Sequence, residues 1–346
     1  MIRMTALLVI ICFLTCPVGA MEFTAPTVPA AGEKYFPEGT ESFTDGLWSI
    51  IKEVIRELQP SLAEAAGVCF SIIAIVVLIS MLQGVDGLSQ KVITLTGTIA
   101  ISILLIKPSS SLIHLGVDTV EELGEYGKLL LPVMTAAMAA QGGTSTSAAL
   151  YGGTTFFSSL LSTAITKFII PLLYIYITLC IANSAIGEDI LKNLRNFTKW
   201  LITWFLKIIL YVFTGYISIT GVIGGTADAS AIKAAKLAIS GAVPVVGGII
   251  SDASEAILVS AGVMKNAAGI YGLLSIIAVC VGPFMQVGIQ YLLLKLTSAI
   301  SSIFGNKSLV GAIHDFSGVM GFILAMLGTV SLLLLISTVC FMKGIA

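Results

Sequence analysis

The sequence predicts an all-α, polytopic integral membrane protein with about six transmembrane helices. Three observations carry this. Of 346 residues, 57% are hydrophobic and only 11% charged, against roughly 25% charged in soluble domains. Mean hydropathy is +1.03. Runs such as Cys69 to Leu82 and Phe322 to Val339 are almost continuously apolar, whereas the strands of a membrane barrel would alternate apolar and polar residues. The net charge of −1 gives no basic field for nucleic acid. The lipid bilayer is the expected partner, with no DNA or RNA.

Residues 1–20 read as a signal peptide. Arg3 supplies the positive start, Thr5 to Val18 the apolar stretch, and Val18-Gly19-Ala20 the small residues of a cleavage site. An uncleaved anchor is the alternative, and either reading puts residue 21 outside the cytoplasm. Residues 21–64 are expected to form an extracytoplasmic linker with Pro26, Pro29 and Pro37, followed by an amphipathic helix. In that helix Leu47, Ile50, Ile51, Val54, Ile55 and Leu58 fall at helical spacing, opposite Lys52, Glu53, Arg56 and Glu57. It is predicted to end near Pro60. Its apolar face could lie on the membrane, dock on a partner or pack on the chain's own bundle.

A transmembrane hairpin follows at 65–106, with spans at about 65–83 and 88–106 around the Gly84-Val85-Asp86-Gly87 turn. Lys107 to Lys128 carries Asp118, Glu121, Glu122 and Glu125, too much charge for lipid. Leu129 to Ala140 is apolar but only about twelve residues long, contains Pro132 and ends at Gly142-Gly143, too short to span and so read as re-entrant. Further spans are expected at 168–186, 200–223, 269–294 and 318–341. A second Pro/Gly-broken segment, 237–250, carries Pro244 and Gly247-Gly248. Counting crossings puts 84–87, 187–199 and 295–317 inside, and 107–167, 224–268 and the C-terminus outside. Lys192, Arg195 and Lys199 agree with an inner connector.

The prolines point to a parallel internal repeat, membrane repeat 1 at 129–223 and repeat 2 at 237–341. Beyond Pro108 the chain has Pro132 and Pro171, then Pro244 and Pro283, both pairs 39 apart and offset by 112. Leu191, Leu194, Phe197 and Trp200 then match Val310, Ile313, Phe316 and Val319 at an offset of 119. Parallel repeats are a known plan among membrane transport proteins.

Catalysis needs convergent nucleophiles, acids or metal ligands. The two histidines, His114 and His314, lie in different polar stretches, and Cys69, Cys180, Cys280 and Cys340 each lie in apolar sequence. No enzyme activity, metal or cofactor is therefore expected. Gly305-Asn306-Lys307-Ser308 lacks the upstream glycine of a phosphate loop. Candidate pathway or hinge positions are Pro132, Gly142, Gly143, Pro171, Pro244, Gly247, Gly248 and Pro283, because unwound backbone at membrane depth survives only where it lines a cavity. Lys167 and Lys207 are candidate intramembrane charges, with snorkelling to the interface as the plain alternative. Gly321 and Ala325, in a four-residue series from Ser317 to Thr329, are candidates for close helix packing.

The signal-like N-terminus, the tract Leu130-Leu131-Pro132-Val133-Met134-Thr135-Ala136-Ala137-Met138-Ala139-Ala140 and the tract Ala242-Val243-Pro244-Val245-Val246-Gly247-Gly248-Ile249-Ile250-Ser251-Asp252-Ala253 together resemble the stage III sporulation protein AE family of endospore-forming bacteria. That resemblance covers nearly the whole mature chain and carries no catalytic residue. It implies a multi-pass protein of the mother-cell membrane around the forespore. It further implies partners among the other stage III sporulation membrane proteins of the same operon, and the forespore protein Q. Such a complex would act as a channel or secretion-like conduit needed for late forespore development. A stand-alone secondary transporter for a small solute is the rival reading, and a pore-less membrane anchor a third.

Overall fold

The computed structural model describes residues 26–36, 43–84, 89–186, 189–242, 247–304 and 307–343, with side-chain environments for all of these except Asp189 and 220–265. The signal peptide, Asp86 and Pro244 lie outside the described residues. Every regular element described is helical. A short helix α1 (Ala30–Glu33) precedes α2 (Phe43–Gln83), α3 (Gln90–Ala140) and α4 (Thr144–Ala164). A π-helical turn, Ile165–Ile169, joins α4 to α5 (Ile170–Ile186). Then come α6 (Asp189–Ala242), α7 (Gly247–Ser301) and α8 (Lys307–Lys343). With α4 and α5 taken as one rod, six helices are long and apolar enough to cross a membrane.

These rods run up and down. Gln83 on α2 bonds Thr94 on α3, Ser298 on α7 bonds the Val310 carbonyl on α8, and Ser80 on α2 bonds the Phe304 carbonyl. Gln83, Gln90, Ser301 and Lys307 thus share one end of the bundle, and the start of α6 joins them through the Arg195–Asp315 pair. At the other end Thr154 on α4 bonds Ser337 on α8, and Tyr216 on α6 bonds the Ala149 carbonyl on α4. Lys91, Lys192, Arg195, Lys199, Lys295 and Lys307 gather toward the first end, while Lys34, Lys52, Arg56, Lys128 and Lys343 lie toward the second among Glu53, Glu57, Glu64, Asp118, Glu121, Glu122 and Glu125. The basic residues flanking the first end are those the positive-inside bias expects on the cytoplasmic side.

Several sequence expectations need correction. The amphipathic segment does not stop at Pro60, which sits exposed inside α2. Its face of Ile50, Val54 and Leu58 is buried against Leu274 and Ala278 of α7, so it packs on the chain's own bundle. The charged stretch 107–128 is not a connector, and Leu129–Ala140 is not a separate re-entrant piece. Both belong to α3, a 51-residue helix with Pro108 and Pro132 inside it. At 1.5 Å per residue it is about 77 Å long, against roughly 30 Å of hydrocarbon. The outer half of the bundle therefore stands clear of the membrane, where exposed carboxylates are solvated.

Helix α8 explains how apolar and charged segments come to lie at one height. Gly116 of α3 sits under Ile323 and Gly127 under Leu334, so the polar part of α3 runs beside the apolar part of α8. Helix α8 packs against α3, α4, α5, α6 and α7, and Ile313, Phe316, Val319, Ile323, Met326 and Leu327 are essentially inaccessible. Its outer half is apolar because it is the core of the bundle, not because it faces lipid. Burying such side chains contributes about 1.5–3 kcal/mol each.

The two stretches matched by the proline spacing sit in different surroundings, since α8 is central whereas α6 exposes Trp200, Trp204, Tyr211, Val212 and Ile219. The turn after α3 shows why glycine is needed there. Gly142 has φ +93°, a region that strains any side chain, whereas Gly143 has φ −84°. Gly142→Ala is expected to lower stability by about 1–2 kcal/mol and Gly143→Ala by less than half of that. Thermal unfolding in detergent checks the difference.

Candidate functional site

Near the cytoplasmic end a buried ion pair ties the two halves together. Arg195, two turns into α6, donates from Nη1 to Asp315 Oδ2 on α8 at 2.5 Å, with side chains 17% and 7% exposed. Arginine suits this place because it stays charged and presents a fork of donors. His314 and Lys199 lie near enough to act on Asp315 electrostatically, and Lys295 near enough to act on His314. Three basic groups, Arg195 included, thus surround one buried carboxylate. Tyr176 of α5 closes the side wall, with its hydroxyl 3.1 Å from where a Cβ on Gly318 would stand and its ring edge-on to Phe322 at 5.3 Å. The arrangement can latch α6 to α8, and its surplus of positive charge suits the anionic inner leaflet.

Sequence reasoning missed this pair. Arg195 was expected to serve only as an inner-loop charge, and Asp315 to lie in the connector before the last span. A signal was present in the 119-residue offset, which matches Leu194 to Ile313 and Phe197 to Phe316. The same register sets Arg195 opposite His314 and Asn196 opposite Asp315, so polar residues interrupt both helices at equivalent positions.

The residues singled out from sequence fall in separate places. Pro132 is exposed on α3, Pro171 is exposed at the start of α5 and Pro283 is buried in α7. The π-turn just before Pro171 is the adjustment expected where proline lacks its N–H. Gly142 and Gly143 form the outer turn between α3 and α4. Gly247 and Gly248 open α7, and their surroundings lie outside the described residues. Lys167 and Lys207 are both exposed. Phe168 stacks on Phe205 at 6.3 Å, which brings the two lysines to similar heights on the bundle surface. Gly321 faces Tyr291 of α7 at ordinary contact distance, while Ala325 is exposed. Among the described residues no three metal-ligating side chains cluster.

On the outer half, residues 29–36 form a strap across three helices. Lys34 Nζ and the Tyr35 hydroxyl both donate to Glu57 Oε2 of α2, at 2.6 and 2.7 Å. The Glu57 carboxylate holds the Lys34 ammonium above its ordinary range. Gly32 lies against Val279 of α7, and Phe36 meets Tyr271 with ring centres 4.7 Å apart. Glu122 of α3 lies beside the Ala31 backbone, and burial holds its carboxyl above the ordinary range.

The family model for stage III sporulation protein AE matches residues 34–344, taking in every long helix and the end of the strap. A protein of Bacillus subtilis (strain 168), itself named stage III sporulation protein AE, is 22% identical over 308 residues, covering 87% of this chain and 76% of that protein. No solved structure matches. A match that begins in the strap and runs to the last turn of α8 covers the whole described bundle, and the chain belongs to the stage III sporulation protein AE family.

Proposed function

We propose that this sporulation membrane protein acts as a component of a channel or secretion-like complex between mother cell and forespore. In this reading it sits in the mother-cell membrane around the forespore, with the other stage III membrane proteins of its operon and the forespore protein Q as partners. The observation that carries the component role is the position of α8. Its side chains fill the bundle axis, so the described residues of a single copy leave no passage along that axis. A conduit then requires further subunits. The tall outer half, with the strap and the charged stretch of α3, reaches into the space where partners would stand.

Deleting the gene in the spore-forming host is expected to leave engulfment intact and to abolish most heat-resistant spores. Restoring the intact chain in the mother cell should recover them, whereas expression in the forespore alone should not. Normal heat-resistant spore counts in the deletion strain would contradict the proposal. Solute flux through vesicles holding the purified chain alone would favour the stand-alone transporter instead.

A further inference from the structure

We propose that a furrow along α8, walled by α5 and α7, holds one anionic phospholipid of the inner leaflet, with its phosphate among Lys199, Lys295 and His314. This assignment is independent of the conduit reading.

The three cations come from three helices: Lys199 from α6, Lys295 from α7 and His314 from α8. Both lysines lie near enough to act on His314 electrostatically, so the helices bring them to one spot. None of the three belongs to an ion pair among the described residues, and the neighbouring Asp315 is already taken by Arg195. Positive side chains gathered without a counter-ion repel one another, and an anion placed among them relieves that repulsion. Lys199 and His314 are exposed and Lys295 is half-buried, so the spot is open from outside the bundle.

Their depth is that of a lipid phosphate. Lys199 stands one residue before the span read at 200–223, Lys295 one residue after that at 269–294, and His314 one turn before that at 318–341. Each helix thus carries its cation at the cytoplasmic edge of the hydrocarbon, where basic groups between helices receive lipid head groups.

From that edge a recess leads along α8. Gly311, His314, Gly318, Gly321, Ala325 and Gly328 are exposed or half-exposed, each three or four residues after the last and so on one helix face. Four glycines and an alanine make the floor low. On one side the Tyr176 hydroxyl of α5 lies 3.1 Å from a Cβ built on Gly318, and on the other the Tyr291 ring of α7 lies 3.5 Å from one built on Gly321. A Cβ on Gly311 would meet nothing within 4 Å, and one on Gly321 or Gly328 would make only ordinary contacts. The chain's own packing therefore does not demand glycine there, although glycine in a helix interior is less favourable than alanine by about 1 kcal/mol. A low apolar floor between aromatic walls suits an acyl chain. The Lys295 ammonium sits 5.7 Å over the Tyr291 ring, so the furrow opens at the cations. A soluble anion would use the cations and leave the furrow empty, whereas a phospholipid uses both.

The test is native mass spectrometry of the full-length protein in detergent, titrated with dioleoyl phosphatidylglycerol and, as the control without net charge, dioleoyl phosphatidylcholine. The first is expected to bind at least about tenfold more tightly. The double variant Lys199→Gln with Lys295→Gln should lose that preference, whereas Lys91→Gln, exposed on α3 near the same end, should keep it. Ala325→Phe, which fills the furrow and spares the cations, should weaken both lipids by about tenfold. Should that variant misfold, as read from its unfolding midpoint, Ala325→Leu replaces it with the same direction of change. Inorganic phosphate should not displace phosphatidylglycerol. Equal binding of the two lipids, an unchanged preference in the double variant, an equal loss in Lys91→Gln, full binding in the furrow variant, or displacement by inorganic phosphate would each overturn the proposal.

Discussion

Replacing Asp315 with leucine is expected to destabilise the protein by roughly 3–5 kcal/mol, the usual penalty for removing one partner of a buried ion pair. The size follows from what remains: the Arg195 guanidinium, in a site where its side chain is 17% exposed, with His314 and Lys199 as basic neighbours. Asp315→Asn should be milder, because its carbonyl oxygen still accepts a hydrogen bond. The double variant Arg195→Leu with Asp315→Leu should recover most of the loss, since it leaves no buried charge unpaired. Unfolding midpoints in detergent and the amount of protein in isolated membranes read the effect. If the double variant is as unstable as Asp315→Leu alone, the stranded charge is not the cause.

The second large effect is steric. At Gly153 an ideal Cβ would lie 1.9 Å from the Tyr216 ring, far inside van der Waals contact. Tyr216 cannot retreat freely, because its hydroxyl donates to the Ala149 carbonyl one turn earlier on α4, and its ring packs on Phe157. Gly153→Ala is expected to cost about 3 kcal/mol, the upper end of the overpacking range. Loss of the hydrogen bond adds about 1 kcal/mol. The adjacent Gly152 is an internal control, since a Cβ there meets nothing within 4 Å. Gly152→Ala should be neutral or stabilising by up to about 1 kcal/mol. Combining Gly153→Ala with Tyr216→Leu should restore much of the loss by making room. Equal stability of Gly152→Ala and Gly153→Ala would show that α4 and α6 are not packed this closely.

The six long helices and their order could be read from the sequence because runs of about twenty apolar residues have one satisfactory conformation in lipid. A turn between α5 and α6 was read too, but over 187–199, whereas α6 already begins at Asp189 and carries Lys192, Arg195 and Lys199. Helix continuity through Pro60, Pro108 and Pro132 was not. Proline within a helical pattern ordinarily marks a boundary, yet in a packed bundle neighbouring helices compensate for one missing hydrogen bond. The charged stretch of α3 was read as a connector for a related reason. Hydropathy reports compatibility with lipid and says nothing against a helix that continues into water.

Residue 318 onward shows the converse. Its hydropathy is that of a lipid-facing span, whereas much of it is a protein core, and a single sequence cannot separate the two environments. Arg195 and Asp315 are 120 residues apart, so their meeting depends on tertiary packing between α6 and α8.

The central claim is that the end of the bundle holding Gln83, Gln90, Ser301 and Lys307 faces the cytoplasm while the outer half of the bundle stands in water on the opposite side. Labelling with a membrane-impermeant thiol reagent, in a background lacking native cysteines, tests both parts at once. Asn193→Cys, exposed near the start of α6, should react only after the membrane is opened. Asp118→Cys, exposed in the middle of α3, should react in intact cells, because that part of the helix has left the bilayer. Labelling of Asn193→Cys in intact cells, or protection of Asp118→Cys until permeabilisation, would contradict the account.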